Sequence, residues 1–397
     1  MGPSWQSARM RHDPDRSAAP YDRRRFLIVL GGAAAWATLA PHLAWARKLP
    51  RPLPLQPWTL PADPPANPID LARSLIGAAV LAPSHWNSQP WRMEVDGNAV
   101  RLVADSRRAL PVTDPDRCSM MVSLGAALEN MLVAMRSYGL RPTVGYFPQG
   151  AARGIVAEVT WASGDQRRDR ELFAAIPNRR TNRREYDGRS IFMQNRAALA
   201  AQIPEDVRLH WMEDREQLRS VADLAHDATY AQVRDPQAQA ERMSWMHFGD
   251  DEARRHGDGI TVDELEISGP ARWLARRYFD PRGHFIRFGA GSAAKQAREA
   301  IRSAGVLALL CTGQRQPAAC LIAGQAYERL ALKATQLGIA HQPINAPIEV
   351  ERFRGDLLRS FGAAGEHPLM LVRLGHAKRP GPSARRGVTL VASFRNT

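Results

Sequence analysis

The chain has 397 residues, 44% hydrophobic and 24% charged, an ordinary globular balance that leaves room for two domains or one large one and excludes a disordered or fibrous protein. Its formal charge of +14 and pI near 10.5 suggest a polyanion partner, but part of the excess lies before residue 52, and almost all of the remaining basic residues are arginine. The three cysteines, Cys118, Cys311 and Cys320, are odd in number and lack a C-x-x-C pair; they read as three buried free thiols, neither a disulfide framework nor a zinc site.

In chain order, the first readable segment is Asp22–Ala46. Paired arginines precede a modest apolar run rich in Gly and Ala, and a small-x-small site closes it at Ala44-Trp45-Ala46. This is the layout of a cleavable export signal. R-R-x-F-L at Arg23–Leu27 resembles a twin-arginine (Tat) signal, with Asp22 where Ser or Thr is usual. The resemblance implies folding and cofactor loading before passage through the Tat translocase, and a periplasmic or otherwise exported product. The apolar stretch Phe26 to Ala40 is short of the roughly 20 residues a spanning helix needs, so no stable membrane span is expected after cleavage. Residues 1–46 are thus a signal, and the proline-rich 47–68 an extended linker.

Half one is expected over 69–165. Ile69–Val80 has a helical pattern. Leu81–Trp91, L-A-P-S-H-W-N-S-Q-P-W, is a loop stiffened by Pro83 and Pro90. Its short polar groups, Ser84, His85, Asn87, Ser88 and Gln89, suit a flat neutral ligand rich in carbonyls and ring nitrogens; a turn satisfying its own backbone is the open alternative. Trp91–Val95 and Val100–Val103 suit a hairpin around Asp96-Gly97. A long Ala/Leu-rich helix follows, and Thr143–Phe147 reads as a strand.

Half two is expected over 166–397. It opens with Asn178–Arg189, N-R-R-T-N-R-R-E-Y-D-G-R, an arginine cluster without the interleaved aromatics of a nucleic-acid surface. Arg179 and Arg183 share a face if the segment is helical. Residues 231–300 form a charged insertion, either a cover for a site or a solvated excursion. Gly289–Ala294 approximates a G-x-G-x-x-A loop but lacks a preceding strand and a distal acidic partner. Ile322–Ile339 repeats the pattern of Ser123–Leu140 at one fixed offset, matching Gly125 with Gly324, Ala127 with Ala326, Glu129 with Glu328 and Gly139 with Gly338. Leu369–Leu374 reads as a strand.

A-P-S-x-x-N-x-Q-P-W resembles the signature of the FMN-dependent nitroreductase family. Arg179-Arg180-Thr181-Asn182-Arg183 is similar to that family's phosphate-holding R-R-S-x-R, and Leu337–Ala346 to its segment beside the flavin N5 edge. Leu374-Gly375 and the pair Arg385-Arg386 resemble its closing elements. The loop lies in half one and the arginine motif in half two, each once, which resembles the Acg-like subfamily, a nitroreductase dimer fused into one polypeptide. The resemblance implies an α+β fold of two repeated halves forming an intramolecular pseudo-dimer around mixed or antiparallel sheets flanked by helices. It implies a monomer with one FMN site held by Pro83, Ser84, His85, Asn87, Gln89, Arg179, Arg180, Thr181, Arg183, Pro343, Asn345, Ala346 and Arg386. The implied activity is hydride transfer through the flavin to a small electrophilic substrate, with a flavin-storage protein as the alternative. No nucleic acid, metal or catalytic acid or base is expected.

Overall fold

A computed structural model describes residues 58–150, 154–164, 167–247, 255–261, 264–265 and 286–395. The proposed signal and the first half of the linker lie outside them. The linker's last residues are not free: Trp58 and Leu60 pack on the core, Trp58 Nε1 donates to Ser383 O at 3.1 Å, and Pro61 O accepts from Tyr138 Oη. A proline-rich composition disfavours helix and strand, but it does not prevent docking through aromatic and backbone groups.

Half one begins with helix α1 (Pro68–Ala79), capped by the Asn67 side chain. Strands β1 (Trp91–Asp96) and β2 (Ala99–Ala104) form the expected hairpin, turning at Gly97, whose φ of 57° is easy for glycine. Helix α2 (Cys118–Ser137) follows, then the antiparallel strands β3 (Leu140–Tyr146) and β4 (Ile155–Ser163). Half two contributes α3 (Arg170–Ala175), α4 (Met193–Ala200), β5 (Arg208–Met212) and α5 (Arg215–Arg234). Next come α6 (Pro236–Ser244), the short parallel pair β6 (Met246–His247) and β7 (Ile260–Thr261), and α7 (Ile286–Arg302). Gly289–Ala294 is therefore part of a helix, not a phosphate loop. The chain closes with β8 (Val306–Thr312), α8 (Pro317–Gln336), β9 (Ala340–Pro343), α9 (Ala346–Glu349), α10 (Arg354–Ser360), β10 (His367–Gly375), α11 (Val388–Val391) and β11 (Ala392–Phe394).

The fold is α+β. One sheet runs β11-β1-β2-β4-β3 and the other β5-β8-β10-β9. The second is antiparallel throughout; the first is mixed, because β11 lies parallel to β1 with Met93 opposite Ala392. The end of half two thus completes the sheet of half one, so the two halves do not separate at residue 165. Helices α2 and α8 form the centre. By length and composition α2 could cross a membrane, but it is buried inside the protein. The two helices touch at backbone distance: a Cβ on Gly125 would lie 2.0 Å from Leu321 O, and one on Gly324 would lie 2.1 Å from Val122 O. Each glycine meets the carbonyl three residues before its counterpart, a reciprocal contact about a local two-fold.

The cysteines correct the sequence reading. Cys118 and Cys320 form a disulfide between α2 and α8, with Cα atoms 5.4 Å apart. Only Cys311 is a free, buried thiol. Pairing across 202 positions of sequence leaves no spacing signature; it follows from packing two helices side by side.

Candidate active site

The loop after α1 is held in an uncommon backbone shape. Trp86, Asn87 and Gln89 have φ of 49°, 52° and 50°, left-handed values that non-glycine residues seldom adopt and that cost on the order of 1–3 kcal/mol each. Ser84 organises it: its Oγ accepts from Gln89 N at 2.9 Å and its carbonyl from Asn87 N at 3.0 Å. The remaining constraint comes from distant segments. Asn87 Nδ2 donates to Gly259 O (2.9 Å) and Ala384 O (3.1 Å), and Asn87 Oδ1 accepts from Arg385 Nη1 (2.9 Å). Gln89 Nε2 donates to Gly257 O (2.9 Å), and Gln89 Oε1 accepts from Arg386 N (2.8 Å). Arg108 on the same side pairs with Asp258.

These bonds revise the role of two expected ligand contacts. Asn87 and Gln89 are buried and tie the loop to the Gly257–Gly259 strap of the insertion and to the C-terminal segment, rather than facing open space. Loop spacing could not reveal this, because a left-handed residue reverses the direction that alternation would assign to its side chain.

The arginine segment is not a helix. A single 3-10 turn ends at Asn178; Arg179 is extended, Thr181 bridges His341, and Asn182 N donates to His341 O at 3.0 Å. Its arginines take different tasks. Arg183 and Thr181 face a cavity. Arg179 is 2% exposed, its Nε 3.5 Å from Glu328 Oε1. Arg180 stacks on Trp58 at 3.9 Å, and desolvation by burial, then the charge of Arg179, lower its pKa to about 9. Arg189 pairs with Asp187 on the surface. Arg386 donates to Gln89 O and Leu390 O. Arg179, Arg180 and Arg386, all expected at the cofactor, therefore lie outside the cavity wall, sequestered by Glu328, Trp58 and Gln89.

The cavity measures about 280 Å³. Pro83, Ser84 and His85 form one wall, Ser119, Val122 and Ser123 of α2 another, and Pro343, Asn345 and Ala346 a third, beside Thr181 and Arg183. Arg242 of the insertion closes it, stacked over Trp86 at 5.2 Å. Burial lowers the Arg242 pKa and the nearby Glu349 opposes that. Glu349 lies 3.3 Å from His85 Nε2 and accepts from Gln232 at 2.7 Å. Three polar atoms on this wall, His85 Nδ1, Trp86 Nε1 and Arg242 Nε, are buried without a hydrogen-bond partner, an arrangement that invites a polar ligand. The cavity has the mixed lining of a small-molecule site, apolar surface with a few converging polar groups.

Behind Thr181 lies a buried ionisable cluster that sequence did not mark as functional. Burial pushes the Glu328 carboxyl up to about 7, although the Arg179 charge counters it. Burial holds the His341 imidazole down to about 3, and Tyr327 Oη lies 3.3 Å from its Nδ1. Glu328 was visible only as a repeated position, and Trp58 carried no signal at all.

No known protein-family profile matches the chain. Over 335 residues it is 28% identical to a Mycobacterium tuberculosis protein named "Putative NAD(P)H nitroreductase Rv3131", covering 82% of this chain and 92% of that one. A second M. tuberculosis protein, "Putative NAD(P)H nitroreductase acg", is 37% identical over 79 residues, which is 20% of this chain and 24% of that one. Among solved structures, the FMN and NADPH-dependent nitroreductase NfnB from sphigopyxis sp. strain HMH overlaps 57% of this chain and 99% of its own, at 17% identity and a TM-score of 0.36, too loose to transfer any detail. Over most of its length, therefore, the chain is similar to a protein named as a nitroreductase.

Proposed function

We propose that the chain is an FMN-dependent oxidoreductase of nitroreductase type, acting on a small electrophile of the nitroaromatic or quinone class, with one flavin site per chain between its two halves. One observation carries this reading. Three segments far apart in sequence, Pro83–His85, Thr181 with Arg183, and Pro343–Ala346, line a single cavity, and each belongs to a stretch that resembles a flavin motif. Bound FMN would supply the redox chemistry. The chain's own residues bind and orient. Arg183 offers a permanently charged, bidentate donor for a phosphate, Thr181 a hydroxyl beside it, and His85 Nδ1 an unsatisfied polar atom. Arg242 and Trp86 exclude water from the insertion side.

The test is flavin binding itself. Purified protein should show flavin absorbance or regain it on reconstitution. Arg183→Ala should weaken FMN binding by roughly 10- to 150-fold, the equivalent of one charge-assisted hydrogen bond of about 1.5–3 kcal/mol, with the far-UV spectrum unchanged. A colourless protein that cannot be reconstituted overturns the reading.

A second reading, a flavin-storage protein with little turnover, is favoured by one feature: the Gly257–Gly259 strap is bonded to both Asn87 and Gln89 over the loop. Stopped-flow mixing of the flavin-loaded protein with NADPH separates the two, since rapid bleaching excludes storage. We also infer that the two halves descend from one repeated unit, supported by the reciprocal glycine contacts, and that the chain is exported by the Tat route. The disulfide supports export, because such bonds persist in oxidising compartments. Cell fractionation checks it; protein confined to the cytoplasm refutes it.

A further inference from the structure

Away from the cavity, three donors of different chemistry converge at the edge of the second sheet. A ring nitrogen of His210 on β5, the thiol sulfur of Cys311 on β8 and a carboxylate oxygen of Glu366, next to the start of β10, all lie within 4.8 Å of one another. The register produces this. Arg208 is opposite Cys311, so Arg208, His210 and Cys311 share one face, and His367 is opposite Thr312, which brings Glu366 alongside. Cys311 is fully buried, Glu366 11% exposed and His210 25% exposed, leaving one open approach.

We propose that His210, Cys311 and Glu366 form a divalent transition-metal site of the zinc or cobalt class, clasping edge strand β5 to β8 and to the turn that enters β10. An imidazole, a thiolate and a carboxylate are a ligand set zinc accepts, with a water completing the tetrahedron. Metal–donor bonds of about 2.0–2.3 Å put tetrahedral donors roughly 3.3–3.8 Å apart, so no pair needs to close by more than about 1.5 Å, and His210 Nε2 and Glu366 Oε2, 2.9 Å apart, need to open slightly. The site is empty. Glu366 has two oxygens, and they serve two partners: Oε2 is 2.9 Å from His210 Nε2, while Oε1 is 3.1 Å from Arg208 Nη1. On binding, Oε2 and His210 exchange their mutual hydrogen bond for the metal, and Arg208 stays on Oε1 as the outer support that orients the carboxylate. The Cys311 thiol releases its proton to solvent and coordinates as thiolate. With a carboxylate and a thiolate, the divalent charge is balanced. Because the thiol must give up its proton to coordinate, affinity should rise with pH.

Cobalt(II) titration of the purified full chain tests this. Cys118 and Cys320 are joined, so a near-ultraviolet thiolate-to-cobalt charge-transfer band reports Cys311 alone. The expected result is a saturable one-to-one band, displaced by zinc(II) and accompanied by a rise in Tm. Cys311→Ser should lose the band; His210→Gln and Glu366→Gln should each weaken it. If Cys311→Ser fails to fold, the other two variants, at more exposed positions, decide. Absence of a band in the wild type overturns the proposal, as does a band undiminished in the His210→Gln, Glu366→Gln double variant.

Discussion

Glu328 is a fully buried carboxylate whose nearest cation is Arg179 at 3.5 Å. Its folded pKa of about 7 lies above the ordinary 4.5, so the stability gained by keeping it neutral is complete below pH 4.5 and is lost as pH rises through 7. Denaturation midpoints of wild type and Glu328→Gln at pH 5 and pH 8 should therefore show the wild type losing ground to the variant as pH rises; a gap independent of pH would mean that Glu328 ionises normally. His341 acts in the opposite direction, its contribution present above pH 6.5 and lost toward 3, and both variants retain it. At this scale the sequence was readable wherever a residue's task follows from its type. Arg183 and Thr181, picked out by their motif, line the cavity. Asn87 and Gln89 carried the right chemistry with an unreadable direction, because three left-handed residues turn the loop. Trp58 was hidden inside a composition that spells linker.

At the scale of elements, the α2–α8 contact is where the fold is least forgiving. A methyl group at Gly125 or Gly324 meets a backbone carbonyl of the facing helix, which no rotamer change can relieve. Gly125→Ala and Gly324→Ala should each cost about 1–3 kcal/mol or more, and the two losses should fall short of additive, because one outward shift of the helix pair accommodates both. Chemical denaturation of the single and double variants measures this; full additivity would mean that the sites are independent. Helices and strands were legible through periodicity and glycine stops. The strand pairing of β11 with β1 was not, since a three-residue strand carries no register signal. The condition under which Arg179 and Arg183 would share a helical face is not met, because Thr181 is recruited by the neighbouring His341 backbone, a tertiary contact that spacing does not show.

For the whole molecule, the disulfide is a covalent link between halves that noncovalent packing already joins. Reduction should lower stability by about 2–4 kcal/mol without changing secondary structure, read as a drop in Tm on adding reductant; an unchanged Tm would show that packing alone fixes the helices. The two long helices, each running up to a glycine, were legible in the sequence, whereas the covalent staple between them was not, because the distance that matters is across a packed interface. The parallel strand at the chain's end has its own consequence for synthesis. Half one cannot close its sheet until β11 has left the ribosome, so the outer edge of β1 stands unpaired while everything between Met93 and Ala392 is made, on the order of tens of seconds at ~5–20 residues per second. During that interval the nascent chain carries an open template for pairing with other strands. Its need for a chaperone should then end once β11 has emerged.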